Sequence, residues 1–158
     1  MNSTTGPDVE RAARSPGGVV TRGLGALVPT AIARRSIDVS IGIERRVYER
    51  GEPVPFSVTF RNRLPVAVSL ATPTQRRWGW TIDGHLEGTT ESRTLASRPA
   101  EFAFGARETR RIPVEWNGRI RRAGSPDESV VPDAGEYELS AFLATENRPS
   151  DSTIIRLR

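Results

Sequence analysis

Along the stretch SIDVSIGIE, apolar and polar positions alternate strictly. Ile37, Val39, Ile41 and Ile43 fall on one side, and Asp38, Ser40, Gly42 and Glu44 on the other. A side-chain period of two belongs to a strand buried on one face. The same period returns with Phe56, Val58 and Phe60 in PFSVTFRN, with Val66, Val68 and Leu70 in VAVSL, and with Trp78, Trp80 and Ile82 in WGWTI. It returns again with Ile112, Val114 and Trp116 in RRIPVEW, with Tyr137, Leu139, Ala141 and Leu143 in EYELSAFLA, and with Thr153, Ile155 and Leu157 in STIIRLR. Turn-forming groups such as ERGEPV, RNRLP, DGH and NG separate these runs. The pattern predicts an all-β fold, an immunoglobulin-like antiparallel β-sandwich of about seven strands. DAGEY adds to this, because a glycine turn followed by Tyr137 at a strand start has the form of a tyrosine corner.

Two internal stretches break the alternation. Residues 84–101 are polar and contain Arg98-Pro99, so they read as a long loop or an irregular edge strand. Residues 119–135 begin basic and turn acidic, and read as a second loop. Ahead of the domain, residues 1–35 are rich in Gly, Pro, Ser, Thr and Arg, with no sustained period. They bury too little apolar surface to offset the entropy of ordering, which predicts a disordered, flexible leader followed by a domain over 36–158. Gly25 and Pro29 count against a short helix around Leu24 to Arg35.

The order of the motifs resembles the intracellular proteinase inhibitor (BsuPI) family over about Val47 to Leu157. The family's aromatic-x-aromatic-x-aliphatic strand after a glutamine matches Gln75, Trp78, Trp80 and Ile82. Its Gly-x-x-Glu turn and the strand closing on Trp-Asn-Gly match Gly105, Glu108, Trp116, Asn117 and Gly118. Its proline, glycine and tyrosine before the penultimate strand match Pro132, Gly135 and Tyr137, with one extra residue between the first two. The resemblance implies an immunoglobulin-like domain that binds another protein, in the sharpest case an intracellular serine protease. No reactive-site residue carries over, because the loops 84–101 and 118–132 match no defined inhibitory motif.

Composition narrows the chemistry. The chain has no cysteine and a single histidine, His85, so disulfides, thiolate chemistry and cysteine metal sites are excluded, and no metal or cofactor is expected. No Gly-x-Ser-x-Gly element or glycine-rich phosphate loop is present, and His85 reads as a turn residue, so no catalytic residue is assigned and the chain is expected not to be an enzyme. All 23 basic residues are arginine. Residues 1–35 hold five of them against Asp8 and Glu10, a net of +3, while residues 36–158 hold 18 against 17 acids, a net of +1. A nearly neutral body favours a protein partner over nucleic acid. The alternative is binding to nucleic acid or an acidic surface through the leader and the 119–122 stretch. Five exposed-looking arginines are the candidate interaction residues: Arg76 and Arg77 before the tryptophan pair, and Arg119, Arg121 and Arg122 in GRIRRAG.

Trp78 and Trp80 share one face of their strand, and the expectation is that this face is core rather than a binding platform. No run approaches the ~18 apolar residues of a membrane-spanning helix. Ala31, Ile32 and Ala33 have the small-x-small form of an export cleavage site, but Pro29, two glycines and two upstream acids oppose it. A cytoplasmic location is therefore expected, with secretion as the alternative.

Overall fold

A computed structural model of the chain describes residues 28–90, 97–124, 126 and 128–158. Among these residues the order of elements is α1 (Thr30–Arg35), β1 (Ile37–Ile43), β2 (Val47–Tyr48), β3 (Val54–Asn62), β4 (Val68–Thr72), β5 (Trp78–Ile82) and β6 (His85–Leu86). There follow β7 (Ala100–Phe104), β8 (Thr109–Trp116), β9 (Ile120–Arg122), β10 (Glu128–Val130), β11 (Gly135–Leu143) and β12 (Ser150–Leu157). One sheet runs β1-β3-β8, and the other runs β2-β12-β11-β5-β6; β4 pairs with β7 and β9 with β10 as separate ribbons. The fold is an immunoglobulin-like sandwich: the chain order of β1, β3 and β8 on one sheet and of β5, β11 and β12 on the other is that of strands A, B, E and C, F, G. Its pairings are antiparallel except where the two residues of β2 lie parallel to β12. The Tyr137 hydroxyl donates to the Asp133 carbonyl at 2.8 Å, which closes the tyrosine corner that DAGEY announces.

The alternating positions meet between the sheets. Val58, Phe60, Ile82, Leu139, Ala141 and Ile155 are fully enclosed there. Aromatic rings lock the layers edge to face: Phe56 on Trp80 at 5.3 Å, and Phe60 on Trp78 at 5.8 Å and on Phe102 at 5.7 Å. Asn62 is buried at the end of β3 and all its polar atoms are used. Its amide donates to Val66 and Gly105 carbonyls at 2.9 and 2.8 Å, and its oxygen accepts the Leu64 N–H at 3.0 Å. One side chain thus ties two turns together without an orphaned polar group.

The structure departs from the sequence expectation in three places. The expected leader extends to residue 35, yet Thr30–Arg35 form α1, which buries Ala33 and ends where the Ser36 hydroxyl donates to the Ala33 carbonyl at 2.7 Å. The helix starts directly after Pro29, a position at which a missing N–H costs nothing. The rest of the leader expectation, residues 1–27, lies outside the described residues. Residues 84–101 contain β6 and the start of β7, which runs on to Phe104 and buries Phe102 and Phe104 against β4. Residues 119–135 contain the hairpin β9–β10. Twelve strands therefore stand among the described residues where seven are read from the alternation.

Candidate functional site

The five candidate arginines sort into two groups by what holds them. Arg76 and Arg77 precede β5 and fasten the two ends of the 84–101 segment. The Arg76 Nη1 lies 2.6 Å from the Glu87 carboxylate at its start, and the Arg77 Nε donates to the Glu101 carbonyl at 2.8 Å near its end. Arg76 is largely buried, its side chain only 13% exposed, and it runs over Gly79 on the outer face of β5. Gly79 pairs with Phe142 of β11, and a Cβ there would come within 2.8 Å of the Phe142 ring. The missing side chain lets Phe142 lie flat on the sheet, where the Arg148 guanidinium covers it at 3.8 Å. Arg76 is thus part of the wall and not a free contact residue, while Arg77 is exposed.

Asp83 and Gly84, with φ of 46° and 77°, form the two-residue turn between β5 and β6 that Asp-Gly favours. The Asp83 carboxylate accepts the Glu138 N–H at 2.7 Å, and His85 pairs with Ile82 in the same hairpin. A second left-handed pair, Glu87 at 51° and Gly88 at 68°, turns the chain again directly afterwards. That turn brings residues 88–90 against β9. The Arg121 N–H donates to the Gly88 carbonyl at 2.7 Å, the Thr90 N–H to the Arg121 carbonyl at 2.8 Å, and the Ala123 N–H to the Thr90 hydroxyl at 2.9 Å. Residues 88–90 and 121–123, one group from each of the two stretches that break the alternation, are therefore hydrogen-bonded into one surface.

Trp116 anchors that surface from below. It is buried at the end of β8, and its indole N–H donates to the Arg119 carbonyl at 2.7 Å. Gly88 rests directly on it, since a Cβ there would come within 2.9 Å of the indole nitrogen. Arg119, Arg121 and Arg122 all project exposed from this hairpin. The Arg119 guanidinium reaches the Ser129 carbonyl at 3.3 Å, and Arg122 stands opposite Glu128 in the β9–β10 register. Among the described residues, no three His, Asp or Glu side chains are grouped so as to hold a metal ion. No helix among them is long and apolar enough to cross a membrane.

The tryptophan pair divides in two. Trp80 is buried in the core, whereas Trp78 is only half-buried and lines a groove on the flank of the sandwich. Phe102 and Ile112 share its floor, and Gln75, Arg76, Arg77 and Arg110 stand around it. The alternation of WGWTI gives both rings the same face, yet only Trp80 is buried there.

The family model that matches residues 25–158 decides the family. The chain belongs to the family of unknown function DUF7974. No curated protein matches this DUF7974 member in sequence. Among solved structures it is similar to a β-glucosidase from Listeria innocua, at a TM-score of 0.47 and 14% identity over 77% of this chain and 16% of that one. It is similar also to the CARDB domain of a Pyrococcus furiosus protein, at 0.45 and 14% over 77% of this chain and 94% of that one. A third likeness is to an alkylpurine DNA glycosylase from Pseudomonas fluorescens, at 0.47 and 18% over 78% of this chain and 30% of that one. The chain spans about a sixth of the glucosidase, and nothing of these proteins' activities passes to it at such identities.

Proposed function

We propose that this domain is a non-catalytic protein-binding module that uses the joined surface of residues 86–90, 119–124 and 128–130, and that it works in the cytoplasm. The observation that carries the reading is the backbone bonding of Gly88 and Thr90 to Arg121. A loop surface held in one conformation before binding loses less entropy on binding than two independent loops would. Recognition on sandwich scaffolds is concentrated in such end loops. The arginines there are of the residue type enriched where interfaces concentrate their binding energy.

Inhibition of an intracellular serine protease is the sharpest form of this reading, and it is supported by the resemblance of Gln75–Ile82, Gly105–Gly118 and Pro132–Tyr137 to the BsuPI pattern. Titrating a subtilisin-type protease with the full chain tests it. Inhibition that saturates at a fixed molar ratio, and weakens when Arg119 and Arg121 are replaced by alanine, is the expected result. An active protease at every ratio removes the inhibitor reading. The second reading, binding to nucleic acid or another acidic surface, is favoured by the exposure of Arg119, Arg121 and Arg122 on one hairpin. Glu128 opposite Arg122 weakens that field. Duplex DNA binding whose affinity drops steeply with salt, and is lost in the same arginine variants, would establish it over the first.

A further inference from the structure

The flank groove at Trp78 touches the loop surface only through the Arg76–Glu87 pair and does not depend on its role. Its floor is rigid: Trp78 and Phe102 both pack edge-on to the enclosed Phe60 ring, and Ile112 of β8 completes it. The groove holds about 450 Å³, enough for one or two side chains. Three guanidinium groups stand around it, and two are neutralised inside the fold. Arg76 pairs with Glu87 at 2.6 Å, and Arg110, lying over the Phe102 and Phe104 rings, pairs with Glu108 at 2.6 Å. Arg77 holds only a backbone carbonyl, because the Glu101 carboxylate turns to the Ser69 hydroxyl at 3.2 Å. Among the described residues, Arg77 has no carboxylate partner, so the groove keeps one uncompensated positive charge beside an apolar floor.

The adjoining strand gives the groove a direction. The Asn62 N–H donates to the Glu108 carbonyl, so the alternation of an antiparallel pair turns the backbone groups of Glu108, Arg110, Ile112 and Val114 towards β3. Those of Thr109, Arg111, Pro113 and Glu115 then face the other edge, on which β8 has no paired strand among the described residues. An elongated guest with its own backbone donors suits an open strand edge beside a side-chain groove better than a compact small molecule does.

We infer that the groove formed by Trp78, Phe102 and Ile112 is a docking site for an extended acidic peptide segment of a partner protein. An aromatic or aliphatic side chain of that segment sits on the floor, and a neighbouring Asp or Glu pairs with Arg77. The charge left on Arg77 selects against basic segments, and the depth of the floor admits few residues, so binding is weak and salt-sensitive.

Panning the full chain against a displayed library of random linear 12-residue peptides, then measuring the selected peptides by fluorescence anisotropy, tests this. The expected peptides carry Asp or Glu within two positions of an aromatic or aliphatic residue. Arg77→Ala and Arg77→Glu should weaken them at least about tenfold with an unchanged thermal midpoint, and Arg77→Lys should restore part of the affinity. Arg119→Ala and Arg121→Ala should leave it within about twofold, as residues outside the contact do. The proposal is overturned if the library gives no acidic enrichment, if binding ignores Arg77, or if binding is lost in the hairpin variants instead. The last outcome would strengthen the loop surface while removing the groove, and so separates the two.

Discussion

Tyr48 is enclosed at the end of β2, and its hydroxyl has no hydrogen-bond partner among the described residues. The Arg45 guanidinium lies over its ring at 4.7 Å, a contact made by the ring and not by the oxygen. A buried polar atom without a partner costs about 1–3 kcal/mol, so Tyr48→Phe should leave stability unchanged or raise it by about 1 kcal/mol. A urea melt of the variant that loses more than this would mean the hydroxyl has a partner after all. Gly118 works in the opposite sense. Its φ is 71°, and a Cβ would come within 2.5 Å of the Glu52 carbonyl, which is backbone and cannot swing away. Gly118→Ala therefore adds left-handed strain to a backbone clash, and should cost upwards of about 2 kcal/mol. The tryptophans separate by burial. Trp80→Ala should cost about 3–5 kcal/mol as a core truncation, while Arg77→Ala, at the exposed position immediately before Trp78, should stay within about 0.5 kcal/mol.

At the level of elements, the loop surface depends on one glycine and one indole. Gly88→Ala should push against the Trp116 nitrogen and strain φ at 68°, which loosens the contact between residues 88–90 and β9. Amide exchange at Arg121 and Thr90 should then accelerate while amides in β3 and β11 stay protected; acceleration throughout would instead mark global destabilisation. The sheet edges show a similar economy. Pro113 stands where its missing N–H would face the open edge of β8, and on β1 the Ile41 N–H is taken by the Asp151 carboxylate at 2.9 Å. Every strand read from strict alternation is present, because each turns its alternate apolar residues to the one face that packs in the core. Strand β7 escapes that reading since AEFAF follows Arg98-Pro99 and offers only Phe102 and Phe104 as large apolar residues. The β9–β10 hairpin escapes it because each strand has three residues and one aliphatic side chain, too few to show a period, and part of its support comes from Gly88, about 30 residues earlier. Helix α1 is too short to show a period. The two breaks in the alternation were legible, but their union was not, because it is made by backbone bonds between residues about 30 apart. Arg76 looked like a contact residue for a related reason: Glu87, its partner, lies in the segment that seemed structureless.

For the molecule as a whole, three titrating groups at the corners between strands set the pH range of stability. The Glu108 carboxyl is held below the ordinary range first by the Gly105 N–H, at 2.6 Å, and then by Arg110. Glu52 is lowered in the same way by the Glu49 N–H, at 2.8 Å, and by its ion pair with Arg45. A carboxyl whose folded pKa lies below its unfolded value stabilises the fold above the unfolded value, and that contribution disappears as pH falls through the folded one. Stability should therefore decline as pH drops below roughly 4, where free glutamates take up protons. Tyr137 defines the other limb. Burial raises its pKa, with Asp133 and Asp83 adding to the effect. A raised phenol favours the fold while it stays protonated, so its contribution is complete below the unfolded value and is lost as pH climbs beyond roughly 10. Urea melts across this range should give a plateau with a falling limb at each end. Glu108→Gln keeps the side-chain shape but cannot ionise, so it should lower the plateau and flatten part of the acid limb. Tyr137→Phe should lower the plateau through loss of the bond to Asp133 and remove the alkaline limb's dependence on this corner. An alkaline limb unchanged in Tyr137→Phe would show that the corner stays closed with an ionised phenol, and that the loss at high pH begins elsewhere in the sandwich.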